Sequence, residues 1–597
     1  MSLSLHALVL INSLSPQRQR RAPYVLAYLE HWGVPHQILD LAHTPLPTNV
    51  ADSPLLIVAH EEMDVGSARL GPLGRERLLA AVRMGAGLVS FDPYLPAGRE
   101  WGASSTRQGT WVDHLLFTGV HHYITAGHDA DELLPLAAHL RVHALSTEGT
   151  TLISAAGQPF LSSIRLGQGR LVRWATNAWM RSDILGPLGG LDDVLWRSLI
   201  WAARKPFVMR GLPPLVTMRV DDVAATGAMW GKTPLYWVQE ANRHGFKPWL
   251  GIFPYNLSEP AVNELRDLIQ RGQATAFPHA LGLRSRPGLI GVSYQSTFPA
   301  QATRIDEEEF ARRHGRQPGP SDLDEFIYFD HINGRPWPDT EASRRLTAVD
   351  EWYAAHTPLP MSRYFVPHWG EMGVNVLPHV YDRWGARFCT TLIDVGRRYH
   401  VNTPWLRLGP FRRHEPSGTA AIDPRRRGLR PVYYADFINL AGYRFFYACT
   451  EIRDDAGYDW RPSPDVAATI GHGVRQLRRA LDSMALAVLV AHEADHIYHI
   501  PPEAWAQAIA GVAQGIAGYE PQFMTLDEGI QYVQATVTSI LRSATYDPQS
   551  RQVIVTWGGQ ADVPTHFHLF TEEHDAIVAR LVSVPPFTGE TSAIAPL

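Results

Sequence analysis

Cysteine is almost absent. Cys389 and Cys449 are the only two in 597 residues, which excludes a disulfide framework and a zinc site built on thiolates. Lysine is nearly as scarce: Lys205, Lys232 and Lys247 stand among 54 basic residues, and the rest are arginine. Neither sign of charge prevails, because 59 Asp and Glu against 54 Lys and Arg leave a formal charge of -5. That balance excludes nucleic-acid capture by bulk charge and a coating of anionic membranes. No apolar run approaches the roughly 20 residues that a membrane-spanning helix needs, and the mean hydropathy is -0.15. Internal repeats and low-complexity tracts are also missing. Met1 to Ser13 has no basic segment before its apolar stretch and reads as a strand from His6 to Ile11, so no signal peptide is visible. The compartment stays open, since an exported or cell-surface protein could carry its leader upstream.

What is present is enough apolar material for buried cores, 45% of residues, in a chain long enough for several domains at about 150 residues each. Histidine (27) and tryptophan (18) are plentiful, the side chains that metal chemistry and sugar stacking use. Residues 1 to 205 alternate strand runs (Ala7 to Ile11, Gln37 to Leu39, Leu55 to Ala59, Gly87 to Phe91) with helical spacing (Ala22 to Trp32, Gly74 to Met84). Such alternation implies a parallel sheet covered by helices. Prolines at 206, 213 and 214 mark a junction, after which a second series begins: strand 215 to 220, helix 234 to 244, strand 248 to 253, helix 261 to 271, strand 274 to 277. Residues 284 to 338 lack a period and read as a long functional insertion. A helix resumes near Asp339, and another is expected from an N-cap at Ser463 with Pro464 at its first position. From 543 to 597 only strand signals remain, which predicts a small β module.

Polar residues recur where apolar strands end. Asp221-Asp222 closes the run from Leu215, His279 follows Ala276-Phe277-Pro278, and His492 follows the apolar segment Ala485 to Ala491. In a βα barrel the chemistry sits at such C-terminal strand ends, although an Asp pair there is more often a helix cap or turn. Asp330-His331, the aromatic turn Arg363 to Gly370 with His368 and Trp369, and Asp459-Trp460 are further candidates. Each taken alone has a plain structural reading.

Taken in order, these segments resemble the motif series of the NodB-homology polysaccharide deacetylases, metal-dependent carbohydrate esterases on a distorted βα barrel, over roughly residues 206 to 542. The resemblance implies Asp221 as catalytic base, Asp222 and His279 as metal ligands, and His492 as general acid. It implies Arg363 as the orienter of Asp221, and substrate-binding or supporting roles for His368, Trp369, Asp459 and Trp460. The family's second metal histidine lies four residues after the first, where this chain has Leu283; if the insertion splits the motif, His331 takes that role. Residues 1 to 205 resemble a flavodoxin-like, class I glutamine amidotransferase-like domain. Both cysteines lie outside that stretch, so a binding or scaffolding role is expected. The expected architecture is therefore α/β: a flavodoxin-like domain, a distorted βα barrel and the β module. The implied activity is removal of N-acetyl groups from an amino-sugar polysaccharide, of the kind that galactosaminogalactan-type exopolysaccharides represent, with a divalent metal ion, zinc suiting one carboxylate and two imidazoles.

Two rivals stand beside it. His492-Glu493-Ala494-Asp495-His496 spells His-Glu-x-x-His, which on a helix is the zinc site of a metalloprotease. Prolines at 501 and 502 leave little room for that helix. The split histidine motif also admits a carbohydrate-binding protein without catalysis.

Overall fold

A computed structural model describes residues 2–64, 70–93, 95, 109–143, 145, 149–181, 184–282, 311–312, 315, 326–330, 335–389, 435–448, 460–494 and 496–597. The chain is a mixed α/β protein built on parallel-strand sheets.

The first sheet has nine strands. Five of them, in the order His36–Asp40, Ala7–Ile11, Leu55–Val58, Gly87–Ser90 and Gly169–Trp174, are parallel neighbours. The remaining four extend the sheet antiparallel from Gln158–Leu166. Apolar runs that pair on both sides must bury both faces, and Leu55–Val58 and Gly87–Ser90 are buried throughout. The helix Pro16–His31 starts earlier than its apolar spacing indicates, because the Ser15 hydroxyl caps it by accepting from the Gln17 N–H at 3.2 Å.

The second sheet carries the functional side chains. Its order is Thr275–Pro278, Pro248–Ile252, Leu215–Val223 and Ala487–His492, all parallel, with Gln522–Phe523 adding to the start of Leu215–Val223. Leu215–Val223 is buried along its entire length. A third sheet runs Tyr364–Phe365, Phe388–Cys389, Tyr443–Ala448, Ala435–Leu440. The barrel expected from the sequence does not close among the described residues. Tyr364–Phe365 pairs Phe388–Cys389, and Phe388–Cys389 pairs Tyr443–Ala448, all within the third sheet. The second and third sheets meet through separate bonds such as Ser362 N–H to Ala276 O (2.7 Å) instead of continuous pairing.

Helix positions follow the apolar spacing with small shifts. Tyr236–Arg243, Glu259–Gln270, Asp339–Ala355, Pro502–Gly515 and Leu526–Thr538 all form. The helix expected from Ser463 instead begins at Val466, because the Asp465 carboxylate caps it by accepting from the Ala468 N–H at 3.0 Å while the Ser463 N–H bonds Thr469 Oγ1.

The β tail is a two-sheet sandwich, and it is not self-contained. Its sheets begin at Ser539 and recruit two distant segments: Leu3–Ser4 pairs Thr545 and Tyr546, and Phe207–Gly211 pairs His566 to Phe570. Val208, Val553, Val555, Trp557, Phe567 and Leu569 fill the space between the sheets. No helix among the described residues is long and apolar enough to cross a membrane.

Candidate metal centre

The site is built where strand Leu215–Val223 stops being regular. Its pairing with Pro248–Ile252 shifts register between Val220 and Val223, and Asp222 has φ 58°. A bulge of this kind re-aims side chains, so consecutive residues Asp221 and Asp222 can serve one site instead of opposite faces of the sheet. Both are buried.

His279 leaves the end of Thr275–Pro278, anchored by its N–H to Ile252 O at 2.9 Å. Its Nδ1 lies 2.8 Å from Val366 O. A carbonyl can only accept, so Nδ1 carries the proton and Nε2 keeps a free lone pair, the arrangement usual for a metal-ligating histidine. Gly251 makes room for the ring, since a Cβ there would approach His279 Cγ to 3.1 Å. His368 opens the short turn His368–Gly370 behind Pro367, and its N–H bonds His279 O at 3.3 Å.

These elements bring Asp222, His279 and His368 together. Asp222 Oδ1 is 3.5 Å from His279 Nε2 and 3.2 Å from His368 Nδ1. One ligand atom from each of the three lies within 4.8 Å of the others. One carboxylate and two imidazoles form a donor set suited to zinc and to other first-row divalent ions. The rings are walled by Phe253, stacked on His279 at 6.1 Å, and Phe326, 4.9 Å from His368. Burial drives the His279 imidazole down to about 4, further than Asp221 and Asp222 can raise it, so it is neutral at pH 7 as ligation requires. Burial pushes the Asp222 carboxyl up, yet His368, His492 and His279 together hold it well below its ordinary range.

Asp221 faces a different partner. Arg219, two residues earlier and on the same side of the strand, donates Nε to Oδ1 at 2.8 Å and an Nη to Oδ2. Burial raises the Asp221 carboxyl, and Arg219 with His279 more than offsets it, leaving the group ionised. Asp221 and His492 are direct neighbours in the parallel register of Leu215–Val223 and Ala487–His492.

The other expected residues divide. Arg363 does not take the orienting role: its guanidinium lies over Phe388 at 5.1 Å, and its N–H donates to Asp527 Oδ1. Arg219 stands in its place, and the signal for it was the two-residue spacing that puts a cation beside a strand-end carboxylate. Trp460 is fully buried, packs on Trp505 at 5.6 Å and donates Nε1 to Thr469 O, so it is a core residue rather than a sugar platform. His331, Asp459 and the Trp369 side chain lie outside the described residues. The second imidazole of the described group comes from His368, for which the resemblance implies a substrate-binding or supporting role instead of a ligand's. Among its described residues the His-Glu-x-x-His segment forms no α-helix: strand Ala487–His492 ends in a turn before Ile497–His499.

No family model matches the chain, and no curated protein does. Among solved structures, a cytoplasmic protein from Salmonella typhimurium aligns with 34% of this chain and 100% of its own, at 11% identity and TM-score 0.24. A ThuA-like protein from Parabacteroides merdae aligns with 33% of this chain and 89% of its own, at 13% identity and TM-score 0.25. An α-L-fucosidase from Paenibacillus thiaminolyticus aligns with 35% of this chain and 36% of its own, at 11% identity and TM-score 0.23.

Proposed function

We propose that the chain is a metal-dependent hydrolase that removes N-acetyl groups from an amino-sugar polysaccharide. The observation that carries this reading is the convergence of Asp222, His279 and His368 beside an ionised Asp221 whose strand neighbour is His492. Asp222, His279 and His368 would hold a divalent cation, whose chemistry when bound would be Lewis acidity toward an acyl carbonyl and water.

The protein's own groups supply the proton transfers. Asp221, fixed by two bonds from Arg219, accepts the proton of the attacking water. His492 sits at the same strand register and donates a proton to the departing amine, as a general acid must. Acetate and a free amino sugar result. A base and an acid on adjacent rigid strands are held at a fixed separation, which lowers the entropic cost of assembling them around the amide.

The remaining parts fit that reading. The parallel strand order of the first sheet, second-first-third-fourth-fifth in chain order, is the flavodoxin-like one, which supports a scaffolding or binding domain over residues 1 to 205. The stretch expected at 206 to 542 would then be a deacetylase unit whose barrel does not close among the described residues, with the sheets of the β module starting at Ser539 and taking in Phe207–Gly211. The metalloprotease alternative loses support from the absent helix, and from Glu493, whose oxygens are already occupied.

The test is acetate release from N-acetylated hexosamine oligomers, with metal content measured on the same preparation and a peptide digest beside it. Release that is abolished by chelation and in Asp222→Ala, His279→Ala and His368→Ala supports the proposal. Peptide cleavage without acetate release overturns it.

A further inference from the structure

Glu493, in the His-Glu-x-x-His segment, has no part in the proposed deacetylation, and it is fully buried. Its side chain crosses from the end of strand Ala487–His492 to the loop that follows Asp222. Oε2 accepts the N–H groups of Ala224 (2.7 Å) and Ala225 (2.9 Å). Oε1 accepts the Thr226 N–H (2.8 Å), the Thr226 hydroxyl (2.8 Å) and Trp237 Nε1 (2.8 Å). Three successive amides converging on one carboxylate form an anion nest. The Glu493 N–H meanwhile donates to Asp221 O at 2.9 Å. The residue therefore grips the main chain on both sides of Asp222.

That grip falls where the backbone needs it. Asp222 and Ala225 both have φ 58°, the left-handed region that costs a non-glycine residue about 1–3 kcal/mol and persists only where the surroundings over-determine it. Five donors on a single carboxylate provide that over-determination. We propose that Glu493 is a positioning residue for the metal centre, holding the bulge that aims the Asp222 carboxylate at His279 and His368. This rests on the reading of Asp222, His279 and His368 as a metal-binding group. Glu493 itself ligates nothing, because its lone pairs are taken by the five donors.

Glu493→Gln tests the role with little change of volume. The amide replaces one acceptor oxygen by an NH2 that must face N–H donors, so the nest opens. The probe is cobalt(II) added to the full-length metal-free protein, read by competition with a chromophoric chelator and by the visible absorption of the bound ion. Expected is a loss of cobalt affinity of roughly 10- to 100-fold, the range for groups that support ligands from outside the coordination sphere. The absorption band should change shape, while the far-ultraviolet circular dichroism stays that of the wild type. Wild-type affinity and an unchanged band in Glu493→Gln overturn the proposal. Should that variant fail to fold, Thr226→Val decides, since it removes only the hydroxyl bond: a loss of about 2- to 10-fold is expected for one hydrogen bond, and none overturns the role. Failure of the wild type to bind cobalt, zinc, nickel or iron would overturn the metal reading itself, a result distinct from a wild type that binds and a variant that binds equally well.

Discussion

Asp221 and His492 stand opposite one another in the register of two adjacent parallel strands. Neither residue belongs to the Asp222, His279 and His368 group, although Asp221 Oδ2 lies 3.9 Å from His279 Nε2, so turnover and metal content are to be measured on the same variants. Asp221→Asn and His492→Ala should each lower kcat for acetate release by roughly 10²- to 10⁴-fold while bound metal, measured by elemental analysis, stays at the wild-type level. Loss of metal in either variant would contradict the division of roles.

Arg219 holds both oxygens of Asp221. A lysine keeps the charge but cannot reproduce the two parallel bonds, so Arg219→Lys should lower kcat more than it changes KM. Arg219→Met leaves a buried carboxylate uncompensated, and urea unfolding should show a loss of about 3–5 kcal/mol, the range for breaking a buried ion pair on one side. Equal stability of the two variants would show that the pair is not coupled to the fold.

Trp460 separates core from substrate contact. Because it is buried against Trp505 and bonded to Thr469 O, Trp460→Ala should cost about 3–5 kcal/mol of stability and leave KM for oligosaccharide unchanged below its melting temperature. A raised KM with stability retained would return Trp460 to the sugar site.

His128 predicts a pH dependence away from the site. Burial alone would lower its imidazole, but Asp193 at 3.2 Å and Glu132 at 3.0 Å raise it to about 10. A native value above the unfolded one gives stability that is fully present below about pH 6.5 and drains away as pH rises toward 10. Denaturant unfolding of wild type and His128→Gln should therefore differ most near pH 6 and converge by pH 10. Asp482, raised to about 6 by burial and Asp193, loses its contribution earlier, as pH rises through about 6, so the two windows are separable. A gap between wild type and His128→Gln that is constant with pH would sink the assignment.

The residues legible from sequence were those whose position along a strand determined their role. Asp221, Asp222, His279 and His492 end apolar runs, and parallel strands of one sheet bring the residues at their C-terminal ends to the same end of it. Arg219 was hidden because its partner is chosen by strand alternation rather than by any motif. His368 was hidden because nothing local says which of several histidines will approach Asp222; a loop behind Pro367 and a bulge at Asp222 decide it jointly. Barrel closure is not legible for a related reason: alternation of strands and helices predicts parallel pairing but not which sheet edges meet, and among the described residues the second and third sheets stay separate. The β tail's recruitment of Leu3–Ser4 and Phe207–Gly211 was invisible because neither segment has a partner nearby in the chain.

That recruitment sets an order of events during synthesis. Phe207–Gly211 leaves the ribosome before the His566–Phe570 strand that covers its edge, and Leu3–Ser4 waits longer still for Thr545 and Tyr546. The large sheets can form as they emerge, but the junction between them remains unfinished until almost the last residue is made. Pairings so distant in sequence are slow, and the waiting edge is the place where a nascent chain would be captured by a chaperone or by another copy of itself.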